Sequence, residues 1–186
     1  MGWWIVIGVI VVIALYLIVI YNRLVSLRQT VSQAWSDISV QLKQRHDLVP
    51  NLVETVKGYA SHERGTLEAV VNARNAAVAA NTPQAAAAAE NMLTGALRQL
   101  FALAEAYPDL KASQNFLQLQ ADLSDLENKI AAARRFFNNA VQEYNSSTQQ
   151  FPAVLIAGPM GFSEREFFEL DEGERAAVNT APQVKF

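Results

Sequence analysis

Hydrophobic positions along the chain follow two rules. Residues 3–20, WWIVIGVIVVIALYLIVI, form one apolar run without a charge. After Tyr21 apolar residues recur at intervals of three and four, the period of a helix that buries one face. The first rule predicts a membrane-spanning helix. Thirteen of its residues are Ile, Val or Leu, and at roughly −0.3 to −0.6 kcal/mol each they favour insertion by about 4–8 kcal/mol. With Tyr21 added the run reaches about 28 Å as a helix, near the hydrocarbon thickness of a bilayer. Trp3, Trp4 and Tyr21 stand at the two ends, where amphipathic rings prefer the interface; Ile5, Val12, Leu17 and Ile20 lie between them as anchor residues. A cleavable signal peptide would carry Lys or Arg before the run and small residues after it. Nothing basic precedes Trp3 and YNRLVSLR follows, so the expectation is an uncleaved anchor. Arg23, Arg28, Lys43 and Arg45 follow the span, which by the positive-inside rule predicts a cytoplasmic C-terminal domain.

The second rule is clearest at residues 113–148. Phe116, Leu123, Ile130, Phe137 and Tyr144 recur every seven residues, with Leu119, Leu126, Ala133, Ala140 and Ser147 interleaved. Such a double series is a coiled-coil seam, and Ser113 is a suitable N-cap. Nearer the anchor the seam runs through Leu24, Val31 and Ile38, and through Trp35, Leu42 and Val49, with no Pro or Gly between Tyr21 and Val49. The membrane helix is therefore expected to continue into the domain. Asp47 is expected to cap a second helix with Pro50 in its first turn, where a missing N–H has no intrahelical partner. That helix would bury Val53, Val56, Ala60, Leu67 and Val70 and fade after Ala80. Asn81-Thr82-Pro83 opens a third, in which the alanine-rich QAAAAAEN reads as helix because alanine is the best helix former. Its apolar stripe is Leu93, Leu97, Leu100, Ala104 and Tyr107, ended by Tyr107-Pro108-Asp109. No segment shows strand alternation. The expected fold is all-α: a membrane anchor at 1–21, an antiparallel up-down four-helix bundle with long coiled-coil-like helices at 22–149, and a tail at 150–186.

Composition narrows the function classes. A net charge of −3 over 186 residues makes no electrostatic case for nucleic acid. The absence of Cys excludes disulfides, thiolate metal sites and a Cys nucleophile. The two histidines each adjoin an acid, in His46-Asp47 and His62-Glu63, but adjacent helix positions point about 100° apart and do not share a ligand. Residues 62–65, HERG, lack the second His that a zinc helix places four residues on. Glu63 and Arg74 fall on the seam of the second helix, where charges are unusual. They are either buried in pairs with partners such as Arg98 or Arg134, setting helix register, or they snorkel to water. Asp122, Asp125 and Glu127 read as a solvated face. No phosphate loop, nucleophile elbow or carboxylate cluster is present, and no cofactor is expected.

Three stretches carry a family resemblance. YNRLVSLRQTVSQAWSDISVQLKQRHDLVPNLVETVKGYASHE, then YPDLKASQNFLQLQADLSDLENKIAAARRFFNNAVQEYN, then FPAVLIAGPMGF closely resemble the LemA family of bacterial membrane proteins. The resemblance spans nearly the whole chain after the anchor, with RHDLVPNLV and ARRFFNNAVQEYN its most specific motifs. It implies a single N-terminal span in the bacterial inner membrane, a helical bundle and a cytoplasmic C-terminus. A LemA-like protein among the proteins of magnetosome membranes points to membrane organisation. The family has no established enzymatic activity, so the resemblance carries over no catalytic residues.

The uncharged stretch 151–162, FPAVLIAGPMGF, should emerge beside the membrane if helices alternate direction. Three roles stay open for it: plugging the foot of its own bundle, packing on a neighbouring subunit, or dipping into the lipid interface. After it, Phe162 and Ser163-Glu164-Arg165-Glu166 form a staple position and a capping box, predicting a short acidic helix that shows Phe167, Phe168 and Leu170 on one side. Candidate oligomer or membrane-proximal contacts are Phe151, Val154, Leu155, Ile156, Met160, Phe162, Phe167 and Phe168. The functional expectation is a non-enzymatic single-pass protein whose bundle self-associates to organise or scaffold the membrane. The alternative is a tethered binding or signalling module that presents a bundle groove. The expected partners are the lipid bilayer, further copies of the chain and other membrane proteins.

Overall fold

The computed structural model describes residues 2–168. Six helices account for nearly all of them: α1 (Gly2–Tyr59), α2 (Arg64–Ala79), α3 (Pro83–Ala104), α4 (Pro108–Lys111), α5 (Gln114–Gln149) and α6 (Val154–Ala157). No strand occurs among the described residues, and the fold is all-α.

α1 is the frame. Its apolar first turns are exposed throughout, apart from Leu17 and Ile20, which are partly covered. From Tyr21 the same helix runs about 57 Å further to Tyr59 without a break. The expected continuity is present and extends past its expected end: Pro50 lies inside α1, and neither Asp47 nor Pro50 starts a helix. The break falls instead at residues 60–63, between Gly58 and Gly65. Val53 and Val56 therefore belong to α1, and Leu67 and Val70 to α2, with all four buried as expected.

α5 packs antiparallel along α1 in one register. The Trp35 and Phe137 rings lie 5.6 Å apart, and ten residues further up α1 Arg45 reaches Glu127, ten residues earlier on α5. Phe116, Leu123, Ile130, Phe137 and Tyr144 are all buried, so the heptad seam is the contact face. α2 and α3 form a hairpin, about 24 Å and 33 Å long, that packs on the membrane-distal half. Thr82 caps α3 by accepting from the Ala85 N–H, with Pro83 at the first helical position. The alanine run is helical and buries Ala86, Ala87 and Ala89.

The membrane-proximal part of the domain differs from an even four-helix bundle. The α2–α3 turn descends only to the level of Ser32 and Ser36, whose side chains line the same groove as Asn81 and Thr82. Below it the α1–α5 pair is covered by an extended strap at 162–168, where a short helix was expected. The capping-box reading fails here because the Ser163 backbone is engaged elsewhere: its carbonyl accepts from the Tyr144 hydroxyl at 3.0 Å. Two asparagines one heptad apart clamp the strap. Asn138 donates to the Phe168 carbonyl and accepts from the Phe168 N–H, and Asn145 does the same with Arg165. Phe162 meets Tyr21 at one end and Phe168 meets Trp35 at the other. Those α1 positions are about 21 Å apart, close to the reach of a seven-residue extended segment. Leu170 and the rest of the acidic tail lie outside the described residues.

Candidate functional site

The first candidate is a polar layer inside the domain. The heptad Leu24, Val31, Ile38 continues to position 45, which is Arg45. On α3, Leu97 and Ala104 lead back by sevens to Glu90. Both charged side chains are almost wholly buried, at 4% and 6% exposure. The Arg45 Nη1 donates to Glu90 Oε2 at 2.9 Å, and Nη2 donates to Thr94 Oγ1 at 2.8 Å and towards Glu127 Oε1 at 3.5 Å. The His46 Nε2 lies 2.5 Å from the other Glu90 oxygen. This layer divides the core. A distal cluster holds Val49, Leu52, Val70, Leu93 and Leu100. A proximal one holds Leu24, Ile38, Phe137, Tyr144 and Phe168.

The sequence signal for this layer was charge at heptad positions 45 and 90, which a search for catalytic motifs passes over. Both oxygens of Glu90 are occupied by α1 side chains, so the carboxylate joins α3 to α1 instead of facing an open site. As expected, His46 and Asp47 point apart. Asp47 is exposed, and the 2.7 Å hydrogen bond from the Lys43 ammonium holds its carboxyl below the ordinary value.

The two seam charges do not pair with each other. Glu63 is half-buried and accepts a hydrogen bond from the Tyr107 hydroxyl at 3.1 Å, which raises the phenol's pKa above the ordinary value. Arg74 is also half-buried, and its Nε donates to the backbone carbonyl of His46 at 2.8 Å. That carbonyl would ordinarily bond the N–H four residues on, and residue 50 is proline. Arg74 thus fills the gap that Pro50 leaves in α1, from a helix 24 residues further along the chain. Among the described residues no cluster of His, Asp or Glu suits a metal ion.

The second candidate is the foot of the domain. α5 ends at Gln149 and residues 150–161 turn back beneath it, through the four-residue α6 and the left-handed Gly161 (φ 77°). Ala153, Ala157 and Phe162 are buried against the α1–α5 pair, where Ile20 also packs. The Phe162 and Tyr21 rings meet in a T-shaped contact at 5.5 Å, and the Arg28 guanidinium lies over the Phe162 ring at 5.1 Å. Phe168 is buried and Phe167 packs against the same core, so these three phenylalanines contact their own chain. Phe151 (81%), Leu155 (65%), Val154 and Met160 are exposed, and Ile156 is half-buried. The anchor residues Trp3, Trp4, Ile5 and Val12 are exposed on α1, and Tyr21, also exposed, carries the Phe162 ring.

Comparison with known proteins points to one family. Residues 34–186 match the LemA family. Protein LemA of Metamycoplasma hominis is 28% identical over 164 residues, which cover 86% of this chain and 74% of that protein. Magnetosome protein MamQ of Magnetospirillum gryphiswaldense is 24% identical over 191 positions, covering 88% of this chain and 70% of that protein. Magnetosome protein MamQ 2 of Paramagnetospirillum magneticum is 24% identical over 175, covering 80% and 64%. None of these names is that of an enzyme. An all-helical domain continuous with one apolar span, and a match reaching from residue 34 to residue 186, lead to one conclusion: the chain belongs to the LemA family.

Proposed function

We propose that this is a non-enzymatic single-pass protein of the bacterial inner membrane, its domain in the cytoplasm, whose helical bundle self-associates to organise or scaffold the membrane. The observation that carries the reading is the apolar surface left uncovered at the foot, where Phe151, Val154, Leu155 and Met160 remain exposed after the chain has folded. Copies anchored in one membrane in the same orientation present that surface at one height, so a foot-to-foot contact needs no change in the bundle. The polar groups of the interior support a structural role, since Arg45, Glu90, Thr94 and Arg74 are engaged in joining helices. Relatives named as magnetosome proteins support a role in membrane organisation.

Removing everything after Gln150 is too blunt a test, because it also strips Phe162 and Phe168 from the core. Phe151→Ser with Leu155→Ser alters only exposed positions. Single-molecule photobleaching of the labelled full chain in dilute vesicles should count several copies per spot, and fewer for the double variant. A wild-type chain that stays monomeric at every density sinks the proposal.

The tethered binding module remains as a second reading because of one groove. A volume of about 570 Å³ lies between α1, the α2–α3 turn and the strap, lined by Val31, Trp35, Phe137, Thr82, Glu164 and Arg165. A monomer that takes a peptide there, with Trp35 fluorescence changing on binding, would favour it.

A further inference from the structure

The foot occupies a depth that follows from helix register. Carrying the Trp35–Phe137 and Arg45–Glu127 pairing down towards the membrane sets Gln150 opposite Asn22, two residues above the end of the apolar run. The chain returns to that level at Phe162, whose ring rests on Tyr21. The eleven residues between, 151–161, therefore lie alongside the span. Leu17 and Ile20, one turn apart, are the two partly covered positions of the apolar run, and Ile20 packs against the core cluster that includes Ala153, Ala157 and Phe162. Leu17 stands about 6 Å below Tyr21, within the 5–10 Å to which interfacial segments sink.

The chemistry of the segment suits that depth. Residues 149–163 carry no charge. Backbone groups entering hydrocarbon need internal partners, and here seven of the ten N–H groups of residues 151–162, those of Val154, Leu155, Ile156, Ala157, Met160, Gly161 and Phe162, are bonded to carbonyls of residues 150–158, while those of Phe151, Ala153 and Gly158 have no backbone acceptor. Pro152 and Pro159 have no N–H to satisfy. The prolines forbid a long interfacial helix and at the same time remove two donors from the list. Phe151, Val154, Leu155 and Met160 are the side chains left to meet the surroundings.

We infer that residues 151–160 form a second lipid-contacting element, a proline-bounded turn that immerses those side chains at the headgroup–acyl boundary of the leaflet from which α1 emerges. The inference rests on the membrane placement proposed above but not on self-association; immersed feet of neighbouring copies can still meet within the leaflet.

The chain has no cysteine, so single labelling sites are clean. Leu155→Cys and, separately, Phe151→Cys would be labelled with an environment-sensitive fluorophore in the full chain. The reference sites are Val12→Cys within the span and the exposed Met92→Cys on α3. Each is placed in phosphatidylcholine nanodiscs loaded with one copy and doped with lipid quenchers at shallow or deep acyl positions. Labels at 155 and 151 should lose emission to the shallow quencher about as strongly as Val12→Cys loses it to the deep one, while Met92→Cys loses none. Labels at both positions that ignore either quencher and stay open to aqueous iodide overturn the inference. So does shielding that appears only in crowded vesicles and vanishes in single-copy discs; that result would keep the subunit contact and discard the lipid one.

Discussion

Proline in the interior of an isolated helix costs about 3 kcal/mol relative to alanine, partly through the lost hydrogen bond and the carbonyl left behind. Here the abandoned carbonyl is that of His46, and it accepts from the Arg74 Nε at 2.8 Å. Replacing Arg74 by Met keeps much of the side-chain stem but removes the donor. With Pro50 in place the loss is that of a charge-assisted hydrogen bond plus a half-buried carbonyl without a partner, about 1–3 kcal/mol. With Pro50→Ala the residue-50 N–H bonds the carbonyl along the helix and Arg74 becomes dispensable, so the same substitution should cost less than about 0.5 kcal/mol. The two changes should therefore couple by roughly 1–2 kcal/mol, far above the scatter of independent sites. Thermal or urea unfolding of the four full-length proteins in one mild detergent, followed by helical circular dichroism, reads the coupling. At this chain length each kcal/mol moves the midpoint by about 2–4 °C. Strict additivity would refute the assignment of Arg74 as the partner of the proline gap.

Three other outcomes follow from named contacts. Arg45→Met alone should destabilise by about 3–5 kcal/mol because it strands the buried Glu90, whereas Arg45→Met, His46→Leu and Glu90→Met together should recover most of that in the same unfolding assay. Tyr107, raised by its hydrogen bond to Glu63, should titrate above its ordinary value of 10.0, and Glu63→Gln should bring it back down in a carbon NMR titration of the tyrosine rings. The sign follows from the raised value: the contact helps the folded state fully below about pH 10 and is lost as pH rises through the folded pKa. Asn138→Ala or Asn145→Ala should speed hydrogen exchange of the Phe168 or Arg165 amide by a factor of about 5–30, matching a loss of 1–2 kcal/mol, and leave the distal half of α1 unchanged. Equal protection in either variant would mean that the strap is held by its phenylalanines alone.

The seams were legible because burial imposes a period. Phe116, Leu123, Ile130, Phe137 and Tyr144 are all inside, and so are Leu24, Val31, Ile38, Leu42 and Val49, while Leu119, Ala133 and Trp35 of the interleaved sets are half-buried. Element boundaries were less legible where a local rule met a distant partner. Proline marks a helix start only when its missing N–H would be unsatisfied anyway, and Arg74 cancels that inference from another helix. Asp47, expected as a cap, spends its carboxylate on Lys43. Ser163 has the residues of a capping box, but Tyr144 and the two asparagine clamps hold the backbone extended more firmly than a single turn of helix could. Arg45 and Glu90 announce themselves only when heptads are counted through charged residues as well as apolar ones. The level of the foot could be anticipated from alternating helices. Which side chains it leaves exposed depended on the strap, and no periodicity encodes that.

α1 crosses from lipid to the far end of the domain as one helix, and this makes it a lever. An arm of about 57 Å turns a 10° change in the tilt of the span into a sweep of about 10 Å at Tyr59. Spans tilt when the bilayer thins or thickens around them. The lipid contact inferred for residues 151–160 would convert such tilting into rotation about a fixed fulcrum beside Tyr21. The distal tip of the domain would then move with the thickness of the membrane below it, so that a change in lipid is read out as a displacement at the far end of the domain.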